Sequence, residues 1–180
     1  ILAGLLIPVT HTNANVLPLG SGADNAYRKV IPLDCALTLR LLNMTMPDSS
    51  SLTTHILTAP AADLVNKGAM AELVAGLELL HYQSPHLRHE MFYWTRQTKN
   101  SLAEIDYLTV QDMHVLPIEV KAGTQGGMKS LWIFMREKHL TEAVRCSLEN
   151  FGSFEYIDKD DNNAVRHVRI CPLYAISSLL

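Results

Sequence analysis

Apolar and polar residues alternate along the 180-residue chain with two distinct periods, and the switches between them mark out its elements. The longest helical pattern runs from Ala61 to His81, where Leu64, Met70, Leu73, Val74, Leu77 and Leu80 recur at three- and four-residue spacing. Gly68 and Gly76 weaken that helix, and Gly76 is read as a point of close approach to a neighbour. Met91 to Thr98, with Phe92, Tyr93 and Trp94 in succession, suits a strand, as do Ala103 to Val110 and His114 to Lys121. A glycine-rich turn, Gly123 to Gly127, leads into a helix over Met128 to Lys138 with Leu131, Phe134 and Met135 apolar. Strands over Glu142 to Leu148 and Val165 to Ile170 follow, and Pro172 is well placed in the first turn of a last helix. From Ala61 the order is helix, three strands, helix, strand. That order predicts a mixed α/β domain, its first strands joined as hairpins and a helix crossing to the next strand.

Upstream the pattern differs. Leu2 to Leu5 reads as the end of a helix running into a strand, Leu6 to Thr10. A polar segment, His11 to Asn25, carries Gly20-Ser21-Gly22 at its tip, and Tyr27 to Leu33 reads as a returning strand. This is the order of a winged-helix module's last helix and wing, and a generic helix–hairpin fits it equally. Asp34 suits the N-cap of a helix over Cys35 to Met44, whose Leu37, Leu41 and Leu42 share a face. Pro47-Asp48-Ser49-Ser50-Ser51 is the clearest breaker, dividing a small segment, 1–48, from a main domain, 60–180. The small segment is expected to pack as a satellite with its two strands paired. Its tip, His11 to Asn25, is expected to be mobile because it offers few apolar anchors.

The candidate chemistry lies on the two central strands. Period two puts Glu104 and Asp106 on one face of their strand, and Glu119 and Lys121 on one face of theirs. If Asp112-Met113 is a two-residue turn, Asp106 stands opposite Glu119, and Glu104 opposite Lys121. Directly opposed carboxylates repel, so a sheet avoids that pairing unless something compensates. A hard divalent cation would do so, and a lysine two residues along would polarise water or stabilise charge on phosphorus oxygens. A solvated hairpin face with a Glu104–Lys121 ion pair accounts for the same spacing equally well.

Asp106, twelve intervening residues, then Glu119-Val120-Lys121 resembles the D…ExK signature of the PD-(D/E)xK nuclease superfamily. Four longer runs are similar to the C-terminal region of a group of prokaryotic P-loop ATPases. They are Ala3-Gly4-Leu5-Leu6, Lys67-Gly68-Ala69-Met70-Ala71-Glu72, Ala103-Glu104-Ile105-Asp106 and Leu116-Pro117-Ile118-Glu119-Val120-Lys121-Ala122-Gly123. In that group an AAA-type module is followed by a winged-helix segment and then by a domain of unknown function. The resemblance covers nearly the whole chain and implies a restriction-endonuclease-like αβββαβ core with a winged-helix remnant before it. It implies Asp106 and Glu119 as metal ligands, Glu72 on the first helix as a supporting ligand, and Lys121 as the catalytic lysine. It implies Mg²⁺ or Mn²⁺ as cofactor, nucleic acid as the target, and an ATPase module as the covalent partner. No GxxxxGK[ST] stretch occurs in these residues, so they hold no P-loop.

Charge tempers this picture. The net charge of −3 argues against a protein that coats nucleic acid by bulk electrostatics, and Arg28-Lys29 is the one basic pair in the wing region. A non-catalytic docking or regulatory module on the same scaffold is therefore the alternative to a nuclease. Cys35, Cys146 and Cys171 form no CxxC pair and read as buried thiols in a reducing compartment. The apolar opening, Ile1 to Ile7, is too short to span a membrane and lacks the basic leader of a signal peptide, so a cytoplasmic, membrane-free location is expected. That opening has no initiator Met and reads as a cut from a longer protein. His86, His89 and Glu90 are too loosely spaced for a zinc shell and read as a surface loop. Lys159 to Asn163 reads as a solvated hairpin tip, and Trp94 and Trp132 as core residues.

Overall fold

A computed structural model of the chain describes residues 4–35, 38, 67–83, 86, 90–98, 101–124 and 126–179. The breaker at Pro47 to Ser51, most of the helix expected over Cys35 to Met44, the first turn expected from Ala61, and His89 lie outside the described residues. The strands are β1 (Leu6–Thr12), β2 (Ala23–Pro32), β3 (Met91–Thr98), β4 (Ser101–Gln111), β5 (His114–Val120), β6 (Glu142–Ser147), β7 (Gly152–Asp158) and β8 (Ala164–Pro172). Helix α1 spans Lys67–Tyr82 and α2 spans Lys129–Glu137. The expected last helix is a 3₁₀ segment, Leu173–Leu179. None of these helices is long and apolar enough to cross a membrane.

All eight strands form one mixed sheet in the order β2-β1-β3-β4-β5-β6-β8-β7. Hairpin connections make β1/β2, β3/β4, β4/β5 and β7/β8 antiparallel, while β1/β3, β5/β6 and β6/β8 are parallel. The parallel β5/β6 pair requires a crossover, and α2 supplies it. Two cores follow from the two faces. On one, Leu73 and Leu77 of α1 pack with Tyr107, Ile118, Val144 and Ile176. On the other, Leu131, Phe134 and Met135 of α2 pack with Trp94, Ile105 and Val168. Trp94 is buried 4.9 Å from the Phe134 ring, as its apolar setting predicts, and half-buried Trp132 stacks on Tyr156 at 4.2 Å.

Four features differ from the periodicity reading. The tip between β1 and β2 does have apolar anchors: Ala14 and Leu19 are buried in the second core with Phe92 and Trp94. Their separation within a polar run hides them from a periodic pattern. Gly4 adopts φ +73° and bends the chain into β1 where the end of a helix is expected. Strand β7 has no counterpart in the pattern, because as an edge strand most of its positions are exposed. The hairpin tip after β7 is more than solvated polar residues: Asp158, fully buried at its base, accepts hydrogen bonds from Arg136, and Arg166 donates to Asp161.

The β1–β2 hairpin joins the sheet through three parallel pairs, Val9, Thr10 and His11 against Met91, Phe92 and Tyr93. Through them β1 and β2 stand in the same sheet as β3 to β8.

Gly76 is the close approach its place in the helix suggests. A Cβ there would lie 2.4 Å from Tyr107 Oη and 2.8 Å from Ile31 Cδ1. Alanine is better than glycine in a helix interior by about 1 kcal/mol. Overpacking costs about 1–3 kcal/mol, and the Tyr107 hydroxyl is held by its 2.8 Å hydrogen bond to the Glu72 carbonyl. Overpacking should win. Gly76→Ala is expected to lower stability by about 1–2 kcal/mol in urea titration, and adding Tyr107→Phe should recover part of the loss. An alanine variant as stable as the parent would refute the close packing.

Candidate metal centre

The site begins at the β4–β5 turn. Gln111 pairs with His114, and Asp112 and Met113 both take positive φ, 50° and 63°, as a two-residue hairpin turn of the primed type requires. The register expected from the sequence therefore holds from the turn to Tyr107 opposite Ile118. One step further would set Asp106 opposite Glu119, and there the ladder opens. Continued, it would aim the Val120 amide at the Ile105 carbonyl. Instead Val120 N–H donates to Asp106 Oδ2 at 2.7 Å.

The opening coincides with a bulge on the other edge of β4. Phe92 pairs with Leu108 and Trp94 with Ile105, so Asp106 and Tyr107 together oppose the single residue Tyr93. Strict alternation would put Ile105 and Tyr107 on one face. The bulge separates them: Ile105 enters the core beneath α2, and Tyr107 enters the core beneath α1.

One carboxylate oxygen from each of Glu104, Asp106 and Glu72 on α1 lies within 4.8 Å of the other two, a group that could hold a metal ion. The cluster already contains a cation that sequence reasoning did not place there. Lys29 of β2 donates to Glu72 and, at 3.3 Å, to Glu104. Its Nζ lies 4.9 Å from the Tyr93 ring centroid and 5.2 Å from that of Tyr107. A signal was present: Lys29 is two residues from buried Ile31, so strand alternation turns it toward the covered face rather than to solvent.

Glu119 and Lys121 sit beside this triad rather than within it. Lys121 donates to Glu119 Oε1 at 2.5 Å, and Glu104 takes Lys29, so the cross-strand Glu104–Lys121 pair does not form. The parting of β4 and β5 removes the register that would have made it. Glu119 is 5% exposed, and its Oε2 is buried with no hydrogen-bond partner. A buried charged acceptor left unpaired is costly, typically several kcal/mol, and is the sort of atom that an ion or water completes. Lys121 lies against Gly126, where φ is +148° and a Cβ would come 2.9 Å from Lys121 Cδ. The glycine-rich turn can therefore close over the lysine stem. A concavity of about 750 Å³ lies elsewhere, between the hairpin tip and the end of α1, and takes in Tyr107 but not Glu72, Glu104, Asp106 or Glu119.

Burial pushes the Asp106 carboxyl up from 3.8 to about 7, with the Glu119 and Glu72 charges adding to it and the Val120 amide and Lys29 opposing. Burial also raises Glu119, against the hydrogen bond and charge of Lys121, and Glu104 adds to the rise. For Asp106 the folded state binds its proton more tightly than the unfolded chain does. Its contribution to stability is therefore present below about 4 and is lost as pH rises to about 7. In metal-free buffer, Asp106→Asn should be more stable than the parent at pH 8 by about 1–3 kcal/mol, and the gap should close toward pH 4. A gap independent of pH in thermal melts would show that Asp106 titrates normally.

A family model for DUF4143, a domain of unknown function, matches residues 67–171, more than half of the chain. No curated protein and no solved structure matches the chain. The matched span begins at the first residue of α1 and ends in β8, so it contains all four acids and Lys121, while Lys29 lies before it. On that match the chain belongs to the DUF4143 family.

Proposed function

We propose that this chain carries a metal-dependent phosphodiesterase-type domain, restriction-endonuclease-like in its α1-β3-β4-β5-α2-β6 core. In this reading it is the C-terminal effector of an AAA-type ATPase and acts on DNA or a related phosphodiester. The observation that carries the reading is the buried, unpartnered Glu119 Oε2 beside a triad of carboxylates drawn within 4.8 Å. Like charges are gathered there at a cost that burial increases, and a divalent ion would relieve it.

The residues divide by role. Asp106 and Glu119 would hold the ion, with Glu72 supporting from α1, and Glu104, which clusters with Glu72 and Asp106 but is not assigned by the sequence signature, would add a fourth carboxylate. Bound there, Mg²⁺ or Mn²⁺ would supply Lewis-acid polarisation of a phosphoryl oxygen and acidify a coordinated water. Lys121, its ammonium now on Glu119, would turn to the attacking water or to charge building on the phosphorus oxygens. Tyr107 anchors the arrangement by tying β4 to the Glu72 backbone. A second reading, a docking or regulatory module of the ATPase without catalysis, is favoured by one observation: Lys29 already neutralises part of the cluster.

Thermal melts with and without Mg²⁺ or Mn²⁺ separate the two. A working site should be stabilised by millimolar metal and should cleave single- or double-stranded DNA or RNA. Glu119→Gln should abolish cleavage and metal stabilisation together, while Lys121→Ala should abolish cleavage and keep most of the stabilisation. If the parent melt ignores metal and no substrate is cut, the nuclease reading falls. The docking module then predicts that Glu119→Gln leaves stability unchanged or slightly raised.

A further inference from the structure

Lys29 is an unusual neighbour for a metal site. It reaches the cluster from β2, the terminal strand of the sheet, and from outside the span that the family model matches. Its ammonium touches two of the three clustered carboxylates and lies over two aromatic rings, so the site supplies it with partners on several sides. Its side chain is 22% exposed, and the Glu104 side chain beside it is 42% exposed, so solvent and small ions reach the same place. The hairpin that carries Lys29 is peripheral. Positions 24–28 of β2 are exposed, and β1 is registered to β3 over only three residues. Val9 and Ile31 fasten the hairpin to the α1-side core and Ala14 and Leu19 to the α2-side core, so what moves most easily is the exposed stretch at positions 24–28 and the Lys29 side chain that follows it.

We infer that Lys29 is a tethered cation that fills the Glu72–Glu104–Asp106 cluster in the metal-free protein, and that a divalent ion loads as the β1–β2 hairpin gives the lysine up. This rests on the reading of the cluster as a metal site. The physical ground is competition for the same oxygens. One ammonium offers a single charge, and a divalent ion offers two with direct coordination by oxygen. Both cannot sit on Glu72 and Glu104 together at contact distance without strong repulsion. Metal affinity then depends on how firmly the hairpin is held, and whatever binds or restrains the hairpin regulates the site.

The test is Mn²⁺ titration by calorimetry on the parent chain, Lys29→Met and Arg28→Met. Lys29→Met keeps an unbranched, ring-packing side chain and removes the charge. Arg28→Met removes the same charge from the adjacent, exposed position. Lys29→Met is expected to bind Mn²⁺ about tenfold more tightly or better, and Arg28→Met to stay within about twofold of the parent. Hydrogen exchange on the parent alone provides a readout that needs no variant: amides of residues 24–31 should exchange faster at saturating Mn²⁺. If both variants shift alike, only the general field matters and the competition is refuted. If the parent and Lys29→Met bind equally, or the hairpin amides become slower on loading, the competition is refuted while the metal site stands. If neither binds, the metal reading itself fails and takes this inference with it.

Discussion

The extra residue in β4 is the constraint on which the rest of the site depends. Two residues, Asp106 and Tyr107, answer one, Tyr93, and the strand's alternation slips by one position there. Before the slip, Ala103 and Ile105 feed the core beneath α2; after it, Tyr107 feeds the core beneath α1 and Leu108 returns to α2. The slip lets Tyr107 reach the α1 backbone at Glu72 while Glu104 and Asp106 meet the Glu72 carboxylate. It also falls where β4 and β5 part, so the Val120 amide, denied its ladder partner, is satisfied by a side chain. Gly76 belongs to the same contact, since any side chain there would collide with Tyr107. Helix, bulge and open ladder form one packing unit.

Electrostatically the unit is a compromise. Four carboxylates and two ammonium groups share a small, partly dehydrated space, and each lysine is claimed by the acids nearest it. Lys29 takes Glu72 and Glu104, and Lys121 takes Glu119. Among the described residues Asp106 has no ammonium in contact; it accepts from one backbone amide, and burial pushes its carboxyl up to about 7. That leaves Asp106 and the bare oxygen of Glu119 as the groups with most to gain from a further cation. An acid poised near pH 7 also couples cation binding to proton release, so occupancy of such a site would rise with pH through that range.

The β1–β2 hairpin shows how a segment that looks accessory becomes part of the acid cluster. Its tip is fastened by Ala14 and Leu19 in the α2-side core, and its other end delivers Lys29 to the acids on the α1 side. The hairpin therefore touches both faces of the sheet.

The sequence by itself determined the elements and their local geometry. The three- and four-residue spacing of Leu73, Leu77 and Leu80 made α1, the aromatic run from Phe92 made β3, and the two residues Asp112-Met113 set the β4–β5 register. These are short-range properties, carried by residues within a few positions of one another. It also singled out Glu72, Asp106, Glu119 and Lys121, because an acid–acid–lysine spacing is visible along the chain. What it could not determine was which charges meet. The bulge opposite Tyr93 depends on how β3 and β4 fit against two different cores, and no local pattern around Ile105 encodes it. Lys29 precedes Glu72 and Glu104 by 43 and 75 residues and finds them only because β2 closes the sheet edge beside α1. Charge pairing at that separation is decided by packing, since Coulomb attraction is short-ranged in water and becomes selective only after the fold has removed the solvent between the groups.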